Sequence, residues 1–260
     1  MTPMPALQQR HVYPGLRETR EAKEGSMGCT AETARCQVAT SYAWDLPKCC
    51  RGHVTNLVHT LADAMADAGV RWWLDYGSLL GAVRNPMFSQ PGGIIAHDKD
   101  ADLGFLGEDW DKLLGIVPQW TPDKTAGGKD NEVGEALGFF WIHKLARRKP
   151  PRPGQIQYGA GDSIKVCLSR TNRSNVDLFP WYDSPYLLKP DGKRYRYHYV
   201  SVDRNKGRQF PEDKLLPLRT IEWEGRELPC PADAEWFCAH RYGRTWKVPL
   251  RRNNHGVRVP

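Results

Sequence analysis

The sequence predicts an α+β domain, and three observations carry that expectation. Helix-like and strand-like segments follow one another without the strict β-α alternation of a doubly wound sheet. One early apolar run recurs at the helical period, while several later runs have the length and alternation of strands. With 260 residues the chain can bury a sizeable core as one large domain or two small ones, and no internal repeat divides it.

From about Pro47 a helix is predicted, because Val54, Leu57, Val58, Leu61, Met65 and Ala68 recur on one helical face and Gly69 stops the run. Val70 opens a short apolar strand, VRWWLDY, which breaks at Gly77-Ser78, and SLLGAVR starts a helix directly after it. Residues 85–96 contain two Pro and two Gly and are expected to form a loop. Asp98 to Phe105 alternates charged with small or apolar residues, as a strand does, and Glu108 to Val117 reads as a short helix. Residues 121–136 are polar and Gly-containing, so another loop is expected there. Further strands are predicted at Leu137–His143, Gln155–Tyr158, Ile164–Ser169 and Val176–Tyr182, with a basic, Pro-rich turn at ARRKPPRPG. TIEWEGRELPCP reads as a hairpin around Gly225, and Ala232 to Tyr242 as the last helix. A loose polar tail, 1–28, and a basic irregular tail, 251–260, bracket a single domain over 29–250.

Composition excludes some function classes. Hydrophobic residues make up 40% of the chain, so disorder is not its main state. No stretch approaches the ~20 apolar residues of a membrane span. The start of the chain has no apolar signal core, which reads as cytoplasmic; a chain beginning downstream of a membrane anchor reads the same way, and its compartment is then the ER or Golgi lumen. The net charge of +7 is unevenly spread: residues 1–130 carry 13 basic and 16 acidic groups, residues 131–260 carry 24 and 14. That split invites a phosphate or nucleic-acid reading.

The chemistry concentrates in HDKDADLGF. Asp98, Asp100 and Asp102 alternate, so on an extended chain all three point to one side, about 6.5 Å apart. Like charges so placed repel, and a hard divalent cation such as Mg²⁺ removes the repulsion. An exposed acidic strand is the alternative. An EF-hand fails, since its sixth position is Leu103 rather than Gly and its twelfth is Asp109 rather than Glu. Twenty residues upstream, Gly77-Ser78 sits at a strand-to-helix junction, where a glycine allows close approach and a helix start offers N–H groups to an anion. Arg84 is placed for a phosphate contact. Asp177 stands alone in an apolar strand and requires a cation or a partner, with a salt bridge to an arginine as the alternative.

The seven cysteines are an odd number and do not read as a fully paired disulfide framework. Cys29, Cys36, Cys49 and Cys50 cluster within 22 residues, and four thiolates can fill a structural Zn²⁺ site; free thiols or disulfides are the alternatives. Cys167, Cys230 and Cys238 lie among apolar neighbours and are expected to be buried thiols.

DYGSLLGAVR followed by D-x-D-x-D, the later VDLFPWY, and the distal RTIEWEGRELPCPADAEWFCAHRYGRTWKVP together resemble the LicD family and its fukutin and fukutin-related-protein branch, from about Cys49 to Pro249. The resemblance implies a nucleotidyltransferase-like fold, a mixed β-sheet flanked by helices with a small cysteine-bound N-terminal loop at 29–50 holding Zn²⁺. It implies Mg²⁺- or Mn²⁺-dependent transfer of a phosphorylated alcohol, such as ribitol phosphate or phosphocholine, from a CDP-activated donor to a glycan hydroxyl. Carried over by position, Gly77 and Ser78 grip donor phosphate, Asp98, Asp100 and Asp102 hold the metal, and Asp177 is a further carboxylate on the neighbouring strand. The loop NPMFSQPGGIIAHD departs from the family's shorter pattern, with His97 in place of its usual Trp, which bears on the wall of the donor pocket. Arg170, Arg173, Arg194 and Arg196 are expected near the Asp177 strand, facing a donor or a phosphorylated glycan. No nucleic-acid partner is expected. Two other readings stand beside this one: a catalytically silent module binding anionic glycans or nucleic acid, and a nucleotidyltransferase using an NTP.

Overall fold

The computed structural model of the chain describes residues 48–85, 92–95, 98, 100–123, 131–144, 163–170, 172, 174–183, 195–197, 209–248, 251–252 and 258–259. The helical apolar spacing near its start becomes α1 (Lys48–Asp67), and Gly69 ends it with φ +68°, in the left-handed region a glycine enters without strain. Val54, Leu57, Val58, Leu61 and Met65 are fully buried along its inner face. The chain then enters β1 (Trp72–Leu74), α2 (Tyr76–Arg84) and β2 (Asp100–Leu106). α2 begins two residues earlier than predicted, so Gly77 and Ser78 form its first turn.

A 3₁₀ turn (Gly107–Asp109) leads into α3 (Trp110–Leu114). The loop expected over 121–136 is corrected: Thr121–Asp123 is β3 and Asn131–Ala136 is β4. Gly134, read from sequence as loop punctuation, lies in the strand instead. A β-carbon there would sit 2.8 Å from the carbonyl oxygen of Gln119, so glycine is what lets that segment cross the strand closely. β5 (Phe139–Lys144), β6 (Ser163–Cys167) and β7 (Asn175–Asp183) fall where strands were predicted. The strand expected at 155–158 and the tail 1–28 lie outside the described residues.

β8 (Tyr195–Tyr197), β9 (Gln209–Pro211) and the short α4 (Glu212–Leu215) precede the predicted hairpin, β10 (Arg219–Trp223) and β11 (Arg226–Cys230). Glu224 and Gly225 turn it with φ of +50° and +79°, the two-residue geometry that matches strand twist. α5 (Ala234–Tyr242) follows. The C-terminal tail is not wholly irregular, because β12 (Arg251–Arg252) pairs with β13 (Arg258–Val259).

Among the described residues the main sheet has nine strands, ordered β1-β2-β7-β6-β5-β4-β3, with β8 on β7 and β9 on β8. β2 and β7 run parallel and the other described pairings of this sheet are antiparallel, so the sheet is mixed. Trp73, Trp141 and Trp181 of this sheet and Trp223 of the hairpin are among the largest fully buried side chains of the described residues. In β2 the odd-numbered Ala101, Leu103 and Phe105 are buried while Asp100 and Asp102 stay partly open on the other face. The first half of β2 therefore turns its carboxylates to one face and Ala101 and Leu103 to the other, while Leu106, further along the carboxylate face, is fully buried.

Candidate active site

The β1–α2 junction builds the centre of the site. Asp75, with extended backbone, caps α2, its carboxylate accepting from the Tyr76 backbone N–H at 3.0 Å. Its own N–H donates to the Asp102 carbonyl at 2.9 Å, continuing the β1–β2 ladder and fixing α2 against β2. Two more bonds lock this register: the Ser78 hydroxyl oxygen accepts from the Asp102 N–H at 2.9 Å, and the Gly77 N–H donates to Asp102 Oδ2 at 3.2 Å. The glycine is required by space. A β-carbon on Gly77 would lie 2.8 Å from Asp98 Oδ2 and 3.6 Å from Asp102 Oδ2. Those two carboxylates thus converge over the helix start.

Asp98 does not belong to the strand. Its N–H closes a turn onto the Ile95 carbonyl at 2.8 Å, and from there it reaches Gly77; burial lowers the pKa of Arg84, and the Asp98 charge opposes that shift without reversing it. Asp100 and Asp102 follow on one face of β2, and the parallel register sets Asp177 directly beside Asp102. Burial pushes the Asp102 carboxyl up to about 8, reinforced by Asp100, Asp177 and Asp75 and opposed by the Gly77 N–H. The predicted site residues Gly77, Ser78, Arg84, Asp98, Asp100, Asp102 and Asp177 are therefore brought together.

Asp177 has cationic partners, and they are lysines. Lys165 donates to Oδ2 at 2.8 Å, Asn175 Nδ2 to the same oxygen at 3.1 Å, and Lys144 Nζ stands 3.7 Å from Oδ1. The arginine expectation is corrected for Arg170, which pairs with Asp123 and Glu135 and lies over the Phe140 ring at the β3–β4 edge. Arg173, Arg194, the side chain of Arg196 and His97 lie outside the described residues.

Sequence reading missed two residues. Asp75 is fully buried and Arg241, on α5, is 5% exposed; Arg241 Nη1 lies 2.6 Å from Asp75 Oδ1. This is an ion pair by distance rather than an aligned hydrogen bond. The guanidinium otherwise faces rings, with its carbon 3.8 Å from the Tyr76 centroid and 5.2 Å from that of Trp181. Trp181 Nε1 donates to Asp75 Oδ2 at 3.0 Å. An aspartate just before a strand-to-helix junction is a readable capping signal; nothing local in the sequence points from Asp75 to Arg241.

Of the cysteines, Cys167, Cys230 and Cys238 are buried free thiols as expected, with burial pushing Cys238 up to about 12. Cys50 is buried at the start of α1 and is disulfide-bonded. Cys29, Cys36 and the side chain of Cys49 lie outside the described residues.

Among the described residues no three His, Cys, Asp or Glu side chains already form a metal-ligand group. The donor set nevertheless fits Mg²⁺, which ordinarily takes one or two carboxylates and fills its remaining positions with water and substrate phosphate oxygens. The pair converging over Gly77 is of that kind.

A mixed sheet whose parallel strand pair presents facing aspartates, beside a Gly-Ser helix start, defines a nucleotidyltransferase-like domain. The sequence places it further: the chain belongs to the family described as LicD/FKTN/FKRP, nucleotidyltransferase domain, whose sequence model matches residues 69–233. It is similar to mouse "Ribitol 5-phosphate transferase FKRP", 29% identical over 224 residues, covering 83% of this chain and 38% of that protein. The human protein of the same name is 28% identical over the same shares. Mouse "Ribitol-5-phosphate transferase FKTN" is 24% identical over 204 residues, 77% of this chain and 34% of the relative. The chain thus spans little more than a third of the length of these relatives. No helix among the described residues is long and apolar enough to cross a membrane.

Proposed function

We propose that this domain transfers a phosphorylated alcohol of the ribitol phosphate class from a CDP-activated donor to a glycan hydroxyl. The observation that carries the reading is the convergence of Asp98 and Asp102 over Gly77, with Asp177 in register beside Asp102. Membership of a family whose similar members are named ribitol phosphate transferases supports the choice of chemistry.

In this reading Asp98, Asp100 and Asp102 would hold Mg²⁺ or Mn²⁺, which would supply positive charge for the phosphate oxygens. The Gly77 N–H in the first turn of α2 points at the Asp102 carboxylate, and Ser78 holds that turn to β2. Arg84, whose charge is felt by Asp98, is the cation that α2 supplies. Asp177, oriented by Lys165 and Asn175, is the carboxylate placed to take the proton from the acceptor hydroxyl. A structural Zn²⁺ on Cys29, Cys36, Cys49 and Cys50 is part of the proposal. It requires Cys50 reduced, since a sulfur in a disulfide is not a thiolate ligand.

The test is CMP release from CDP-ribitol, CDP-glycerol and CDP-choline, with NTPs run alongside and the metal content of the same native preparation measured. Release from at least one CDP-alcohol, dependent on Mg²⁺ or Mn²⁺ and lost in a folded Asp100→Ala variant, is the expected result. Turnover of NTPs alone, or near-normal turnover in Asp100→Ala, would falsify the assignment. About one zinc per chain is the expected content, and zinc-free native protein would remove that part.

A further inference from the structure

The carboxylates have cations on both sides. On the α2 side stands Arg84; on the other, β6 and β5 deliver Lys165 and Lys144. The register runs Asp102, Asp177, Lys165 straight across β2, β7 and β6, so all three share a face. Lys144 follows Ile142, the partner of Lys165, by two residues and shares that face too. β5 is two strands from β7, about 10 Å at ordinary strand spacing, yet Lys144 leans back towards Asp177.

One carboxylate does not need two ammonium groups. Lys165 and Asn175 already bond Asp177 Oδ2, and Lys165 is only 20% exposed. Lys144 stands off the other oxygen at 3.7 Å, beyond hydrogen-bond length, and its side chain is 41% exposed. Burial and the nearby Lys165 both work against its positive charge, with Asp177 opposing them. A second anion would complete this pair of cations.

We propose that Lys144 is a ligand for a substrate phosphate, on the β5–β6 side of the carboxylates, with Lys165 as the residue that positions Asp177. The assignment rests on the phosphotransfer reading for its substrate class, and the phosphate belongs either to the CDP donor or to a phosphorylated acceptor. Inorganic pyrophosphate, titrated calorimetrically into the whole chain with EDTA present, reads this subsite without turnover. Lys144→Met should weaken pyrophosphate binding about tenfold or more, the worth of a charge-assisted hydrogen bond, while Lys144→Arg keeps most of it. Equal binding by wild type and Lys144→Met, or none by wild type, overturns the proposal. In turnover, Lys144→Met should raise KM for one substrate; a rise for the donor gives the phosphate to the donor, and a rise for the acceptor gives it to the acceptor. A fall in kcat with both KM values unchanged counts against it. Pyrophosphate binding that depends on Lys144, in a protein that turns over no CDP-alcohol, would sink the reaction and leave the phosphate subsite standing.

Discussion

Asp102 is held at odds with its own charge. The unfolded chain releases this proton near the ordinary carboxylate value of 3.8, whereas burial and three neighbouring carboxylates delay release to about 8 in the fold. Between those values the folded state binds the extra proton, so metal-free stability falls as pH rises across the window. Asn at this position carries no charge at any pH. In EDTA, Asp102→Asn should therefore melt above wild type at pH 8.5, with the gap closing towards pH 4.5, while transfer activity is lost. A pH-independent gap would remove the charge argument. The alternation of HDKDADLGF placed Asp100 and Asp102 correctly, because a strand period is two. It did not place Asp98, which arrives from a turn before the strand, since a spacing rule holds only while the backbone stays extended.

Helix α5 has nine residues, too few to be stable alone, so docking against the rest of the domain decides whether it forms. Asp233 caps its start and Gly243 ends it, while Phe237 and Cys238 are buried. Arg241 then ties it to the cap of α2. Removing one partner of a buried ion pair leaves an uncompensated charge, which costs about 3–5 kcal/mol, whereas removing both together costs far less. Arg241→Met should lower the urea-unfolding free energy by roughly that amount, and Arg241→Met with Asp75→Asn should recover most of it. Additive losses would show that the two residues are not energetically paired. The same elements show what a sequence hides. β5, β6 and β7 are buried runs and legible as such; β3, at the sheet edge, and its neighbour β4 carry Asn, Glu, Gly and Pro and show no apolar run.

At the scale of the whole molecule, the uneven charge acquires a place. β2, from the acidic half of the chain, lies beside β7, and Lys165 and Lys144 come from the basic half, so the two halves meet across one sheet face. Charge counting could not show this, because the register that aligns Asp102, Asp177 and Lys165 joins residues far apart in sequence. The same long-range construction sets the limits of the folding unit. Residues 69–233, the span matched by the family, contain the main sheet but omit α1 and α5. Val54, Leu57, Val58, Leu61, Met65, Phe237 and Trp246 are all within the main core. Each such side chain contributes about 1.5–3 kcal/mol on burial, so losing seven forfeits roughly 10–20 kcal/mol, as much as the whole ordinary stability of a domain, about 5–15 kcal/mol. A fragment of residues 69–233 should therefore fail to unfold cooperatively in urea and should bind a hydrophobic dye, whereas residues 48–260 should show a single sigmoidal transition. Cooperative unfolding of the shorter fragment at full stability would mean that α1 and α5 are accessories, and that the sheet carries its own core.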